Sequence, residues 1–345
     1  MKGLFSYESA FRAYTQECIF NFFHDGITYA EIRPNFMATN SVKTDCGTTS
    51  YDNFDIMRII EEESDAAIAK IRGDGHFFAG IKVIYCHPRV FKPDQVAKAL
   101  AECLEIKKQF PELLCGFDLV GEEDAGNELH NFTAEFLSFQ AACRAADVEI
   151  PFLFHCGETL SSGGKVDGNL YDAILLNAKR VGHGYALARH PVLMDLFKQR
   201  GMAVECCPIS NEVLGLTATA AGHHLSQLLA NAVPCTLNSD NGTFYRSSLS
   251  HDFYQALVGS EAMSLLGWKQ LARWSLEHSC LSPTDRAAAF AAWDRAWLRF
   301  LHFVVRTWGP DGAWSERARV VDERVRRPGH VWDPSPRPAA SLSLS

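Results

Sequence analysis

The sequence predicts an α/β fold, a TIM-type (β/α)8 barrel from which the first strand is missing. Three observations carry this expectation. Short, apolar, β-rich runs alternate with amphipathic helical patterns, as in a parallel sheet covered by helices. Polar residues suited to chemistry recur at the C-terminal ends of those runs, where such a barrel gathers its active groups. About seven runs are found in the 345 residues, one short of closure, and a helical pattern precedes the first of them.

The opening segment SYESAFRAYTQECIFNFFHDG places Tyr7, Phe11, Tyr14, Cys18 and Phe22 at helical spacing, with Ser6 as the expected cap and Gly26 as the end. ITYAEIRP follows, giving a strand over 27–33 stopped by Pro34. After a polar loop, Ile56, Ile60, Ala67 and Ile71 mark one side of a second helix. The further strands are FFAGIKVIYC, LCGFDLV, IPFLFHC, RVGHG, MAVECC and VPCTLNS, with helical patterns between them. Beyond Asp240, SHDFYQALVGS, LGWKQLARWSLEHS and PTDRAAAFAAWDRAWLRFLHFVVRTW read as closing helices. In the last, Ser282 caps, Pro283 takes the first helical position, and Trp293, Trp297, Leu301 and Val304 form an inward stripe. Residues 1–308 thus make one barrel domain, while 309–345 lose periodicity, gain Pro, Arg and Ser, and are expected to be a mostly disordered tail. The strands flanking the gap should present unpaired edges.

Hydrophobic residues at 47% and charged ones at 21% provide a substantial core and exclude a disordered chain. A formal charge of -8 argues against nucleic acid as a partner. No apolar run approaches the roughly 18 to 20 residues of a membrane-spanning helix. The start MKGLFSYESAF lacks a secretory h-region, so the chain as written is expected in the cytoplasm, and secreted if a longer N-terminus carries a signal peptide. Eleven scattered cysteines without C-x-x-C spacing suggest buried thiols, not a disulfide framework or a zinc ribbon.

The stretch LFHCGETL brings His155, Cys156 and Glu158 together at a strand end. His183 in RVGHGY and Asp240 in LNSDNGTF end later strands. Taken singly, His155 reads as a hydrogen-bonded core histidine and Glu158 as a first-turn carboxylate at a helix N-terminus. Their recurrence at successive strand ends favours one pocket instead. Imidazole and carboxylate are ordinary zinc ligands, and a carboxylate left free beside a metal can act as acid or base, which points to metal-activated attack by water. A thiol mechanism at Cys156 is disfavoured, because alternation turns Cys156 toward the helices when His155 faces the barrel axis. The H-x-E and P-C-x-x-C signature of base-flipping zinc deaminases is absent.

In order along the chain, GFDLVGEED, HCGET, NLYDAILLNAKRVGHGYAL, ECCPISNEVLG and SDNGTF resemble the adenosine deaminase family, most closely its growth-factor-like branch, from about Gly26 to Trp308. That resemblance implies a barrel of the metal-dependent hydrolase kind, a zinc cofactor and a purine nucleoside substrate. His155 and Asp240 would bind zinc. Glu158 would protonate N1 of the purine as water adds at C6, His183 would orient that water and help take its proton, and Asp240 would also hold the water. The backbone N–H of Gly121 would meet the purine. Asn241 stands where the family has an aspartate at purine N7, and its amide can donate to that acceptor. Inosine and ammonia would be the products, and Glu158 would need its pKa raised by burial.

Two features depart from the family. No H-x-H occurs, although the family's first strand supplies two zinc ligands through that motif; the branch's receptor-binding-type insertion and N-terminal dimerisation segment are absent as well. Catalytic zinc normally has three or more protein ligands, so this chain alone is expected to bind zinc weakly and to deaminate slowly or not at all. Of the substitutes His24, His87, His223 and His224, only His87 lies near a predicted strand end; the others read as surface or helix-end histidines. The functional readings are a zinc-dependent deaminase of adenosine or 2'-deoxyadenosine, an inactive relative that binds a nucleoside or a protein partner, and a deaminase of another aminopurine.

Overall fold

The computed structural model describes residues 5–37 and 42–308. The predicted tail from Gly309 lies outside the described residues. Helix α1 (Glu8–His24) precedes β1 (Tyr29–Ile32), after which helix and strand alternate: α2 (Asn53–Gly73), β2 (Gly80–Pro88), α3 (Pro93–Gln109), β3 (Leu114–Val120), α4 (Thr133–Ala145), β4 (Leu153–Cys156), α5 (Asn169–Leu175), β5 (Arg180–His183), α6 (Pro191–Arg200) and β6 (Ala203–Cys206). Two short helices, α7 (Pro208–Val213) and α8 (Leu225–Ala230), lead to β7 (Cys235–Leu237). The chain ends in α9 (Gly242–Tyr245), α10 (Leu249–Val258), α11 (Leu265–Glu277) and α12 (Pro283–Trp308).

Each run expected to be a strand forms one, and all pair in parallel. They group as β1-β2-β3 and β4-β5-β6-β7, linked by a parallel bridge between Phe117 and Phe152. Among the described residues β1 and β7 do not pair with each other, which leaves a seam between them. Outside the sheet, Phe117, Phe136, Phe152 and Phe154 pack beneath the helices, with Phe136 and Phe152 rings 5.1 Å apart.

Inside the barrel the side chains are charged and paired. Arg180 joins Glu31 of β1 to Glu205 of β6, the latter at 2.7 Å. Arg33 reaches Asp118 of β3 at 2.7 Å and Glu205 at 3.0 Å. Burial would raise the Glu205 carboxyl, but Arg33 and Arg180 outweigh it and hold the group at about 2.

Local signals explain most helix boundaries. A capping box of Asp52 and Asp55 starts α2, whose Ile56, Ile60, Ala67 and Ile71 are buried as expected. Ser282 accepts from the Asp285 N–H at 3.1 Å and Pro283 opens α12. Ser6, however, does not cap α1. Its carbonyl accepts from Lys43 N–H, whose own carbonyl accepts from Glu8 N–H, both at 2.8 Å, so a distant backbone segment satisfies the helix start. Thr15 and Ile19 are the buried positions of α1, whereas Tyr7 is 46% exposed. The expected inward stripe of α12 is only half covered: Ala289 alone is buried along that helix, and Trp293 stacks on Trp297 with ring centroids 5.5 Å apart. This helix leans on α11 and on Tyr29 and Phe77 near the start of the sheet, and among the described residues no second element covers its other side.

Candidate active site at the strand ends

His155, next to last in β4, pairs in register with Gly182 of β5, where an added Cβ would lie in ordinary contact with it, 3.4 Å from its Cα and 3.5 Å from the ring. The buried Asp118 carboxylate accepts from the His155 backbone N–H at 2.7 Å and meets Nδ1 at 2.6 Å. Burial disfavours charge on both groups, yet their mutual attraction, with Arg33 beside Asp118, lowers the Asp118 pKa and raises that of His155. With Nδ1–H committed to a carboxylate, Nε2 is left with the lone pair that a metal takes, as in many metal-bound histidines.

Past His155 the chain turns at Gly157, with φ of 76°. The Gly157 and Glu158 N–H groups both donate to the buried Glu123 carboxylate, at 3.0 and 2.5 Å. Thr159 donates to Asp124 at 2.5 Å. GEED, at the end of β3, therefore grips the backbone that carries Glu158. Burial, reinforced by the charges of Asp240 and Glu123 and opposed by His155, raises the Glu158 pKa to about 7. Its Oε1 lies 3.3 Å from His183 Nε2.

His183 ends β5 with φ of 60°, a left-handed conformation that side chains rarely adopt and that marks local strain. Burial and the nearby His155, 5.2 Å away between ring centroids, push its pKa down, so the ring is neutral. Asn211 Nδ2 contacts its Nδ1 at 3.0 Å. Asp240, beyond β7, also has a positive φ, of 49°. It accepts from Ser210 Oγ at 2.8 Å and from Asn241 Nδ2 at 3.1 Å. Gly121 stands exposed just past β3 with φ of 100°, and a Cβ there would meet nothing within 4 Å, so the backbone angle and not space calls for glycine.

His155, Glu158, His183 and Asp240 thus meet at one mouth, with Asn241 beside Asp240 and Gly121 just past the end of β3. Cys156 faces the helices, fully buried, and burial holds its thiol well above the usual range, which removes the thiol mechanism. His87 pairs in register with Leu119 on the helix side, its ring 4.9 Å from that of Phe91, so it is not a substitute ligand. His24 is exposed at the end of α1. His223 and His224 correct the sequence reading: each is 4% exposed, and His223 hydrogen-bonds Asn211 behind His183. Sequence reasoning also assigned no role to Asp118, Glu123, Ser210 or Asn211, although all four lie in the quoted motifs.

His155 and Asp240 have the chemistry of metal ligands. Among the described residues, the group of three donors close enough to share an ion is Glu31, Cys115 and Cys280, where Glu31 is already bound to Arg180 and to the Cys280 N–H. The described residues therefore offer two donors at the mouth and not a complete zinc set.

The family model described as adenosine deaminase matches residues 2–292. The chain belongs to the adenosine deaminase family. It is 36% identical over 303 residues to the adenosine deaminase of Lutzomyia longipalpis, covering 87% of this chain and 56% of that one. Adenosine deaminase 2 of Sus scrofa, from the growth-factor-like branch, is 32% identical over 310 residues, or 89% and 58% of the two chains. The chain therefore spans just over half the length of these curated relatives. Among solved structures, an amidohydrolase from Burkholderia ambifaria with bound zinc superposes with a TM-score of 0.69 at 17% identity, covering 87% of this chain and 76% of that one, a likeness that shows the barrel-type fold.

Proposed function

We propose that this barrel belongs to a zinc-dependent hydrolytic deaminase that converts adenosine or 2'-deoxyadenosine to the corresponding inosine and ammonia. The observation that carries the proposal is Glu158: a carboxyl raised to about 7 by burial, at the mouth of a parallel barrel, beside the neutral His183. Such a carboxyl can hold a proton at neutral pH and deliver it to a ring nitrogen such as purine N1. Its loop is fixed by Glu123, which keeps the donor in place. His183 and Asp240 flank the position from which water would attack C6. The Gly121 N–H, just past β3, and the Asn241 amide, beside Asp240, would meet the purine. Zinc, held through His155 Nε2 and Asp240 with donors from outside the described residues, would supply activation of water.

The two-donor set favours a second reading, binding of a purine nucleoside without turnover. One experiment separates them: zinc content by atomic absorption together with the loss of adenosine absorbance as inosine forms. The 345-residue chain alone is expected to hold zinc weakly and to react slowly or not at all. Inosine formation once a full ligand set is supplied supports the enzyme; tight adenosine binding with no inosine under the same conditions supports the binding protein. In the active form, Glu158→Gln should abolish turnover with zinc retained, and full activity of that variant would remove Glu158 from the chemistry.

A further inference from the structure

His183 is supported from behind by a hydrogen-bond chain whose direction is set at its far end. The Leu225 backbone N–H, which can only donate, meets His223 Nδ1 at 3.1 Å. That nitrogen therefore accepts. The His223 proton must then sit on Nε2, 2.9 Å from Asn211 Oδ1. With its oxygen accepting there, Asn211 turns its Nδ2 amide toward His183 Nδ1 at 3.0 Å. His183 Nδ1 accepts in turn, which leaves the proton of the neutral ring on Nε2, facing Glu158 Oε1 at 3.3 Å. A flipped Asn211 amide would set N–H against N–H at His223. His183, Asn211 and His223 are 2%, 0% and 4% exposed, so solvent has little access to repair such a mismatch. These assignments follow from the network of donors and acceptors and hinge on the backbone donor at its end.

We infer that Asn211 and His223 are positioning residues that hold His183 as its Nε2–H tautomer, so that the ring meets the reacting groups as a hydrogen-bond donor. The inference rests on the deaminase reading for its meaning and deepens it. In the resting site, His183 orients an attacking oxygen by donating to it, and has no lone pair at Nε2 with which to act as a base. The adjacent residues Ser210 and Asn211 then share the work at the end of β6: the first donates to Asp240, the second to His183.

The test reads the tautomer directly, in metal-free, 15N-labelled chain, by long-range proton–nitrogen correlation, with the His183 ring assigned by loss of its signals in His183→Gln. Wild type should show a protonated Nε2 and an unprotonated Nδ1. Asn211→Asp preserves shape but offers only acceptors, so the protonated-type signal should move to Nδ1. His223→Gln, which retains an amide donor toward Asn211, should keep the wild-type pattern, while His223→Phe should blur it. A wild-type ring protonated on Nδ1, or an Asn211→Asp spectrum identical to wild type, overturns the inference. Should Asn211→Asp not fold, the wild-type spectrum and the His223 pair decide. In an active form, kcat should fall in Asn211→Asp with KM little changed and should survive in His223→Gln. A purely structural Asn211 would lose stability in Asn211→Asp without moving the His183 proton to Nδ1. Because the tautomer is read without turnover, a chain inactive on adenosine refutes the deaminase reading and leaves this result standing.

Discussion

Replacing Glu158 by Gln should stabilise the fold, and only above acid pH. Burial, with help from Asp240 and Glu123 and against His155, raises the native carboxyl from 4.5 to about 7. A raised carboxyl contributes stability that is complete below its unfolded value and is lost as pH rises through the folded one, because unfolding then releases a proton. At ~1.36 kcal/mol for each pH unit, the interval amounts to about 3 kcal/mol. The Glu158 side chain is 13% exposed at the mouth, and solvent there reduces the figure to on the order of 2 kcal/mol. Gln has the same shape, can accept from His183 Nε2, and does not titrate. Urea unfolding of metal-free wild type and variant should therefore show similar stabilities near about pH 4 and a gain of roughly 2 kcal/mol for the variant near about pH 8.5. A difference that stays constant across that range would refute burial as the source of the raised pKa.

Arg33→Ala removes one partner each from the buried Asp118 and Glu205 carboxylates, which retain His155 and Arg180, and should cost about 3 kcal/mol in urea unfolding. Glu123→Gln replaces a carboxylate that accepts from Gly157, Glu158 and Asn169. A loss of about 1.5–3 kcal/mol is expected by denaturant titration, with a lower kcat in any active form as the Glu158 loop loosens. Gly184→Ala meets both a φ of 53° and Val204 Cγ1 at 2.6 Å, so its melting temperature should drop by the equivalent of about 1–3 kcal/mol. Gly168→Ala, where a Cβ would meet nothing within 4 Å, should stay within about 0.5 kcal/mol of wild type.

The strands were legible because parallel strands are buried on both faces and read as unbroken apolar runs. Alternation then told His155 from Cys156, one facing the axis and the other the helices. What escaped the sequence depends on partners distant along the chain. Ser6 looked like a cap, but Lys43 satisfies the helix start. The α12 tryptophans share a face, yet periodicity cannot say how many elements will cover it. His223 and His224 looked superficial because neither lies in a periodic element; their burial comes from packing behind Asn211 and His183. Asp118, inside an apolar strand, is tolerated because Arg33 and His155 converge on it from other strands.

Most of the catalytic groups lie away from the seam, and Asp240, just past β7, is the one beside it. His155 and His183 lie at the ends of β4 and β5, while Asn211 and Asp240 follow β6 and β7, so the catalytic groups are carried by one hydrogen-bonded set of strands. The opposite set contributes Asp118 and Glu123, which orient those groups through the pairs already described. Across the interior, Arg180 and Arg33 tie β1 and β3 to β6 by charge, in a sheet whose β1 and β7 do not pair with each other among the described residues. Ion pairs in such a place hold geometry at a large desolvation cost, and they offset the absent ladder only while every member is paired. The proton-handling pair of Glu158 and His183 can thus be set up without closing the barrel, whereas metal capture needs donors beyond His155 and Asp240. Loss of zinc should leave the tautomer of His183 in place, since it rests on Asn211, His223 and the Leu225 N–H.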